Sequence, residues 1–424
     1  MSESPVTEAP VRASRRRWWH RFTTRSPLLV TIDALILGFV VGAVVIITTT
    51  ASVLDAWRAV FSGWSAFPHA CKITGDVVGS AYRAMFTGAV VNPQIFWHAV
   101  TTGHGWTVAL TPLSETLTYA APLIIASIGV GIAFQTGIFN IGANGQAILG
   151  GVAGAYMGSL VHLPTFIHLP LTLAAGIVGG VVVGLVPGLL KAYTGAHEVI
   201  VTLMLNYVVA AVLIFTLLST VLQQPGQQND ISRNLEPSAQ LAPLFGAASG
   251  LRVNWGLAVA ALVVVFAWWF LERSSLGFDF RVTGANPQAA RASGINARAV
   301  IVLVFVISGG LAGLAGIVQL AGTTHYLDGG FLIGNAGIGF TAITVSLLGR
   351  NRPVGIVWAS LLFAGLGVGG RAMQAATGIP LDLATVIQSA VVLFVATPVL
   401  VQEIFRLRQT TAGEVRLATS GWGS

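Results

Sequence analysis

The sequence predicts an all-α polytopic membrane protein of about ten transmembrane helices, interrupted by polar breaks and arranged as an inverted repeat. Three observations carry that expectation. First, the 424 residues are 54% hydrophobic and only 9% charged, where soluble domains carry roughly a quarter charged residues. Second, apolar runs recur at 28–47, 113–134, 146–163, 170–191, 198–222, 253–271, 299–321, 336–349, 354–375 and 384–403. Most match the ~20 residues that cross a hydrocarbon layer of about 30 Å. Third, the basic residues alternate with the runs: sixteen of the 22 Lys and Arg fall in segments that strict alternation from an inside start places in the cytoplasm. The positive-inside bias accounts for them without a polyanionic partner, so the net charge of +7 does not argue for nucleic acid.

The elements follow in order. Residues 1–27 form a basic tail (Arg12, Arg15, Arg16, Arg17, Arg21, Arg25), expected to be disordered and cytoplasmic, with Trp18 and Trp19 as interface anchors. The next run is long enough to span and lacks a small-residue cleavage site, so it reads as a retained first helix. Asp33 near its inner end is placed where a carboxylate reaches headgroups. The rest of 28–112 scatters Trp57, Trp64, Trp97 and Trp106 among Gly, Pro and His, and is expected to lie on the outer membrane surface. Residues 113–403 form the core, with a Gln-, Asn- and Pro-rich outer loop at 223–250. The run at 336–349 is short for a span, so it is either broken or continued by the glycine-rich stretch before it. The tail 404–424, with Arg406 and Arg408, returns to the cytoplasm.

The longest strongly polar interruption of the core is 272–298, with Arg273, Arg281, Arg291 and Arg298. Inside it Asn286 suits an N-cap, Pro287 the first helical position and Gly294 the stop. A short helix outside the membrane is expected there, exposing Gln288 and Arg291 and presenting the small Ala289 and Ala290 to the groove of a partner.

Two glycine-rich breaks interrupt the apolar core. The first, at 137–146, brings Asn140, Asn144 and Gln146 between two spans; the second, at 328–341, follows five spans later. Unsatisfied amides inside a bilayer cost several kcal/mol, so such a segment faces protein or a water-filled path. An odd offset inverts the second copy, as in repeats that hold a binding site at their interface. The competing explanation is that the glycines let helices pack closely. Asn206 in the following span is either an interhelical hydrogen bonder or a substrate contact. Amides pair with a neutral solute as donors and acceptors, so Phe139, Asn140, Asn144, Gln146, Asn206, Phe340 and Thr341 are the candidate pathway residues. Glu198 opens its helix at the favourable end of the helix dipole.

Absent motifs narrow the function. No phosphate loop of the Gly-x-x-x-x-Gly-Lys-Ser/Thr type, HExxH, CxxC or Gly-x-Ser-x-Gly occurs. The histidines His69, His98, His104 and His162 lack metal-ligand spacing, and the single Cys71 excludes an intrachain disulfide. Intramembrane carboxylates are too few for an evident proton relay. No catalytic residue, metal or cofactor is expected in this chain. A self-sufficient channel or secondary carrier, favoured by the polar breaks, is the alternative class to a subunit of a larger transporter.

The stretches FNIGANGQ at 139–146, EVIVTLMLNY at 198–207, GANPQAARASGI at 284–295, SGGLAGLAG at 308–316 and GFTAITVSLLG at 339–349 resemble the permease subunits of ABC importers of the simple-sugar, nucleoside and branched-chain amino-acid superfamily. The nucleoside permeases that work with basic-membrane-protein-type binding lipoproteins are the branch they resemble most. The resemblance covers roughly 113–403 and implies a multi-pass subunit of a bacterial cytoplasmic (inner) membrane, both termini inside. It implies three partners besides membrane lipid: a cytoplasmic ABC ATPase carrying the ATP and Mg, a second permease subunit (a sister chain), and an extracytoplasmic solute-binding protein. The loop with Gly284, Asn286, Pro287, Ala289, Ala290, Arg291 and Gly294 corresponds to the coupling helix that docks on the ATPase. The implied cargo is a small polar solute, a nucleoside first, with a simple sugar or branched-chain amino acid as the alternative. The family usually shows a glutamate where this chain has Asn144, and an aspartate is common where it has Thr341; both departures remove charge from the breaks.

Overall fold

The computed structural model describes residues 27–227, 229–331 and 337–397. The basic tail with Trp18 and Trp19, the final segment with Arg406 and Arg408, and residues 332–336 of the second break lie outside the described residues, as do nine of the sixteen cations counted toward the inner side. Fifteen α-helices account for most of the described chain. Seven of them are long and apolar enough to cross a membrane: α1 (Pro27–Thr49), α5 (Trp106–Gln135), α7 (Thr165–Thr194), α8 (Glu198–Leu217), α9 (Gly256–Arg273), α12 (Ala297–Gln319) and α14 (Pro353–Thr377). The other three apolar runs of the sequence fall on α6 (Ala143–Leu160), whose amides and glycines lower its hydropathy, and on the shorter α13 (Ile338–Leu348) and α15 (Asp382–Ala396).

The helices of the core pack as two interlocked halves. In the first half α5 is followed by a break, then α6, α7 and α8; in the second α12 is followed by a break, then α13, α14 and α15. The packing partners exchange: α12 lies on α6 and α7, α5 lies on α13 and α14, while α5 against α12 and α6 against α13 form the axis. Helix α6 also packs on α8 as α13 packs on α15. Since α12 falls on the fifth apolar run after α5, an alternating path runs the two in opposite directions, and the exchange of partners fits the inverted repeat expected from the two breaks. Helices α5 and α12 are the most enclosed spans, at 83% and 67% buried, because each contacts both halves.

Close helix contacts are made by small residues, as expected where lipid supplies no hydrophobic force between helices. A Cβ on Gly313 of α12 would collide with the Gly176 carbonyl of α7, one on Gly150 of α6 with Gly313, and one on Gly316 with the Ala147 carbonyl. Thus the glycines of 308–316 do serve packing, and they weld α12 to the first half.

The stretch 48–112 departs from a surface-lying segment. It forms α2 (Ala51–Ser62), α3 (Phe67–Ala89) and α4 (Pro93–Thr102), and α3 packs lengthwise on α14. A Cβ on Gly88 would strike Ala372, one on Gly369 the Met85 carbonyl, and the Tyr82 hydroxyl donates to the Phe39 carbonyl of α1. Lys72, Asp76 and Arg83 disguise α3 as a polar stretch, yet Ala70, Ala81, Met85 and Ala89 give it a buried stripe. Trp64 and Trp97 remain exposed at 79% and 68%. Asp33 also differs from expectation, being buried rather than open to headgroups.

The connection between α8 and α9 folds down as a compact cap. Ser232, Leu235 and Leu241 donate backbone N–H groups to the carbonyls of Leu327, His325 and Ala321, and Leu222, Leu235, Ala239 and Leu241 are buried beneath it. Buried His168 of α7 bonds Ser238 Oγ at 2.7 Å and the Met157 carbonyl at 3.2 Å, and His162 meets Glu236 at 3.2 Å.

Candidate functional site

The first break is tied by its own amides. Helix α5 ends at Gln135, Gly137 takes a left-handed φ of 72°, and the chain re-enters the bundle before α6 begins at Ala143. Asn140 and Gln146 are fully buried and face each other. Asn140 Nδ2 donates to Gln146 Oε1 at 2.8 Å and to Ser308 Oγ at 2.7 Å, Gln146 Nε2 returns a bond to Asn140 Oδ1 at 3.3 Å, and the Gly142 N–H donates to the same oxygen at 3.1 Å. Each bond removes part of the cost of carrying irregular backbone at this depth. Ser308 was inside a recognised motif, but its small-residue context gave no sign that it belongs to this network.

Asn206 of α8 closes the other side. Its Oδ1 accepts from the Gly145 N–H at 2.8 Å and its Nδ2 donates to the Ile141 carbonyl at 3.0 Å. It therefore caps the start of α6 from a neighbouring helix, answering one of the N–H groups a helix N-terminus leaves unpaired. Asn144 Oδ1 accepts from the Gly339 N–H at 3.4 Å, and a Cβ on Gly339 would collide with the Asn144 backbone. The starts of α6 and α13, one from each half, thus touch at the centre of the repeat. This explains the short run at 336–349: α13 has 11 residues because it begins at the junction.

Around the junction Phe139, Phe340 and Tyr207 are exposed on the subunit surface at 52%, 39% and 68%, and Thr341 is half-buried. The named junction residues carry amide, hydroxyl and aromatic groups and no formal charge. The buried amides, expected to line the path, are spent on one another and on backbone; the Tyr207 and Thr341 hydroxyls and the exposed rings are the groups that can hydrogen-bond and stack with a neutral solute. Tyr207 stands next to Asn206, and its own exposure was not legible from the sequence.

The polar loop 272–298 contains α10 (Ser275–Ala285) and α11 (Pro287–Ala292). Ser274 caps α10 by accepting from the Gly277 N–H at 2.9 Å; Asn286 caps α11 by accepting from Gln288 at 2.9 Å and Ala289 at 3.2 Å; Gly294 ends the loop helix at φ 81°. Pro287, Gln288, Ala289 and Arg291 are exposed, whereas Ala290 is fully buried. The expectation that both alanines face a partner is corrected for Ala290: a helix of one and a half turns cannot present adjacent side chains on one face, and Ala290 closes onto its own chain. Gly284 sits against the end of α5, where a Cβ would meet the Gln135 carbonyl and stand 2.8 Å from Thr136 Cα. Gln135 Nε2 in turn donates to the Asn351 carbonyl at 2.6 Å in the α13–α14 turn, where Arg350 and Asn351 both adopt φ 56°. The loop therefore touches the first break directly, packs on α12 of the second half, and reaches the α13–α14 turn through the Gln135 side chain. Nearby, Lys191 and Glu198 pair at 2.5 Å across the α7–α8 turn.

The family profile described as branched-chain amino acid transport system, permease component, matches residues 113–396. The chain is 32% identical over 376 residues to the guanosine ABC transporter permease protein NupP of Bacillus subtilis, covering 88% of this chain and 94% of that one. It is 26% identical over 252 residues to NupQ, a second guanosine ABC transporter permease protein of the same organism, covering 58% and 78%. To the glucose ABC transporter permease protein TsgB13 of Haloferax volcanii it is 36% identical over 293 residues, covering 67% and 76%. No solved structure matches the chain.

Proposed function

The chain belongs to the branched-chain amino acid transport permease family, and from that premise we propose that it forms the membrane pathway of an ATP-driven importer whose cargo is a nucleoside. The observation that carries the cargo is the similarity to NupP along nearly the whole of both chains. The higher identity to TsgB13 over a shorter stretch favours a sugar as the second reading. Both cargoes suit an uncharged surface of hydroxyls and aromatic rings.

In this reading Phe139, Tyr207 and Phe340 face the solute from one wall of the path, with Thr341 beside them, and Asn140, Asn144, Gln146 and Asn206 hold that wall in place. A sister permease supplies the opposite wall; that NupP and NupQ of one organism both resemble this chain supports a paired arrangement. A cytoplasmic ATPase, carrying ATP and Mg, docks on α11 through Ala289 and Arg291. Its movement reaches the first break through the seat of Gly284 on Gln135 and Thr136, and the α13–α14 turn through Gln135 and Asn351. A binding protein delivers the solute to the opposite end. The basic loops face the cytoplasm and the exposed Cys71 faces outward.

Uptake of labelled guanosine and glucose in cells expressing the chain with its neighbouring ATPase, sister permease and binding-protein genes tests the reading. Guanosine uptake that needs the ATPase is expected. Uptake of glucose alone would transfer the chain to the sugar reading, and uptake that persists without the ATPase would make it a carrier. An impermeant thiol reagent should label Cys71 in intact cells; labelling only after lysis would reverse the orientation.

A further inference from the structure

The second half carries a feature outside the junction. At its end α12 widens into one π-helical turn, Leu320–Thr324, and the chain leaves through His325 at φ 63°, a left-handed conformation that costs a non-glycine residue energy. Single π-turns inside α-helices concentrate at functional sites. The turn and the cap between α8 and α9 border an open cavity of about 500 Å³, lined among others by Gln240, Leu241, Leu251, Arg252, Asn254 and His325. That volume lies in the roughly 300–1,000 Å³ range of small-ligand pockets.

The lining has a definite chemistry. His325 Nδ1 is buried and has no hydrogen-bond partner among the described residues. Burial, then the charge of Arg252, hold the imidazole pKa below its ordinary value, against the Ala321 carbonyl, so the ring is neutral at physiological pH. Arg252 is half-exposed and pairs with Glu115 at 3.2 Å, so the pair offers spare guanidinium donors without net charge. Asn254 is committed to the walls: its Nδ2 bonds the Gly322 carbonyl at 2.8 Å and its Oδ1 the Gly256 N–H at 2.9 Å. Leu241 and Leu251 add apolar surface.

We propose that this cavity is a second solute site at the capped end of the subunit, taking a neutral, ring-shaped polar compound of the transported class before it reaches the junction. The site rests on the reading of the chain as a permease for such a solute. The spare Arg252 donors hydrogen-bond the solute's polar edge, the His325 ring forms part of the wall, and the leucines cover the solute's ring face.

The test uses the assembled transporter, both permeases with the ATPase, in lipid nanodiscs without binding protein, and measures equilibrium binding of tritiated guanosine and glucose. Saturable binding of one of them is expected. Leu251→Trp, which fills the cavity, should weaken it at least tenfold, and His325→Gly, which suits the left-handed backbone while deleting the imidazole, several-fold. Thermal unfolding of the His325→Gly complex should stay unchanged, so loss of binding there is not loss of fold. Absence of binding by the wild type, or binding unaltered in both variants, would overturn the site. Unaltered solute binding with lost attachment of the binding protein in Leu251→Trp would also overturn it, making the cavity a docking pocket. Failure of the transport reading is distinguishable, since it would show as absence of ATPase-dependent uptake by wild-type cells.

Discussion

The two halves of the repeat interrupt their helices at corresponding places and hold the interruptions differently. In the first half, the break before α6 is braced by Asn140, Gln146, Asn206 and Ser308, and α6 and α7 are welded to α12 through glycines. In the second half, Gly339 bonds Asn144 at 3.4 Å, Asp328 pairs with Ile231 of the cap, and the helix before the break ends in a π-turn beside a cavity. The same topology thus carries a network of side-chain amides at the first break and backbone and cap contacts at the described part of the second. Inverted copies need not carry equal loads, and the loop 272–298 touches both, through Gly284 at the first break and α10 on α12.

The largest effect should come from breaking the weld. Gly313→Val drives side-chain atoms into the Gly176 carbonyl and the Gly180 backbone, where no flexible group can yield; overpacking commonly costs about 1–3 kcal/mol or more. Little monodisperse protein should be recovered. Away from the weld, Gly367→Ala in α14 meets nothing within 4 Å and should unfold within about 0.5 kcal/mol of wild type, as surface substitutions do. Equal losses in the two variants would remove the weld between α12 and the first half as the source of the effect.

Next comes the brace itself. Asn140→Ala strands Gln146, the Gly142 N–H and Ser308 in a buried site, and at about 1–3 kcal/mol for each unsatisfied group the melting temperature in detergent should fall clearly. Asn144→Ala forfeits one long bond and should cost under about 1 kcal/mol. A larger loss from Asn144 would relocate the brace to the junction.

A smaller effect is expected at the loop. Ala289→Trp leaves the subunit folded and weakens ATPase capture by about 1–3 kcal/mol through overpacking of the contact. Ala290→Trp should instead destabilise the subunit itself, since Ala290 has no exposed surface. Undiminished capture and coupled uptake with Ala289→Trp would remove α11 from the docking surface.

The smallest effect concerns pH. The named residues of the first brace include no titratable group, whereas His325 borders the second break with its pKa lowered by burial and then by Arg252. A lowered histidine pKa means the opened form binds protons more readily, so the stability it contributes is present above the ordinary value of 6.5 and declines as pH falls below it. Protease sensitivity of the cap should rise in that window for wild type and stay flatter for His325→Gly. A matching rise in the variant would assign the effect to other groups.

Much of the architecture was legible because apolar length and Lys/Arg placement are one-dimensional consequences of a bilayer. The ten runs coincide with ten helices, and Asn286, Pro287 and Gly294 delimit α11 because capping is local. Helix α3 was not legible as a packed helix, since its exposed Lys72, Asp76 and Arg83 lower its hydropathy while a narrow alanine stripe does the packing. The amides of the first break were legible as residues that need partners, but their partners lie up to 168 positions away, as Ser308 does from Asn140.

By itself, then, the sequence determined that the chain crosses a membrane many times, where it breaks, and which loop carries an exposed helix, because lipid demands apolar length and internally satisfied backbone at every depth. Only the tertiary structure decided that Asn140 and Gln146 satisfy each other, that Ala290 turns inward while Ala289 is presented, that the starts of α6 and α13 meet, and that a cavity forms beside His325. Those outcomes depend on which groups reach one another across the bundle, and a hydrogen bond or a collision is set by distances of a few ångströms between helices that no local pattern records.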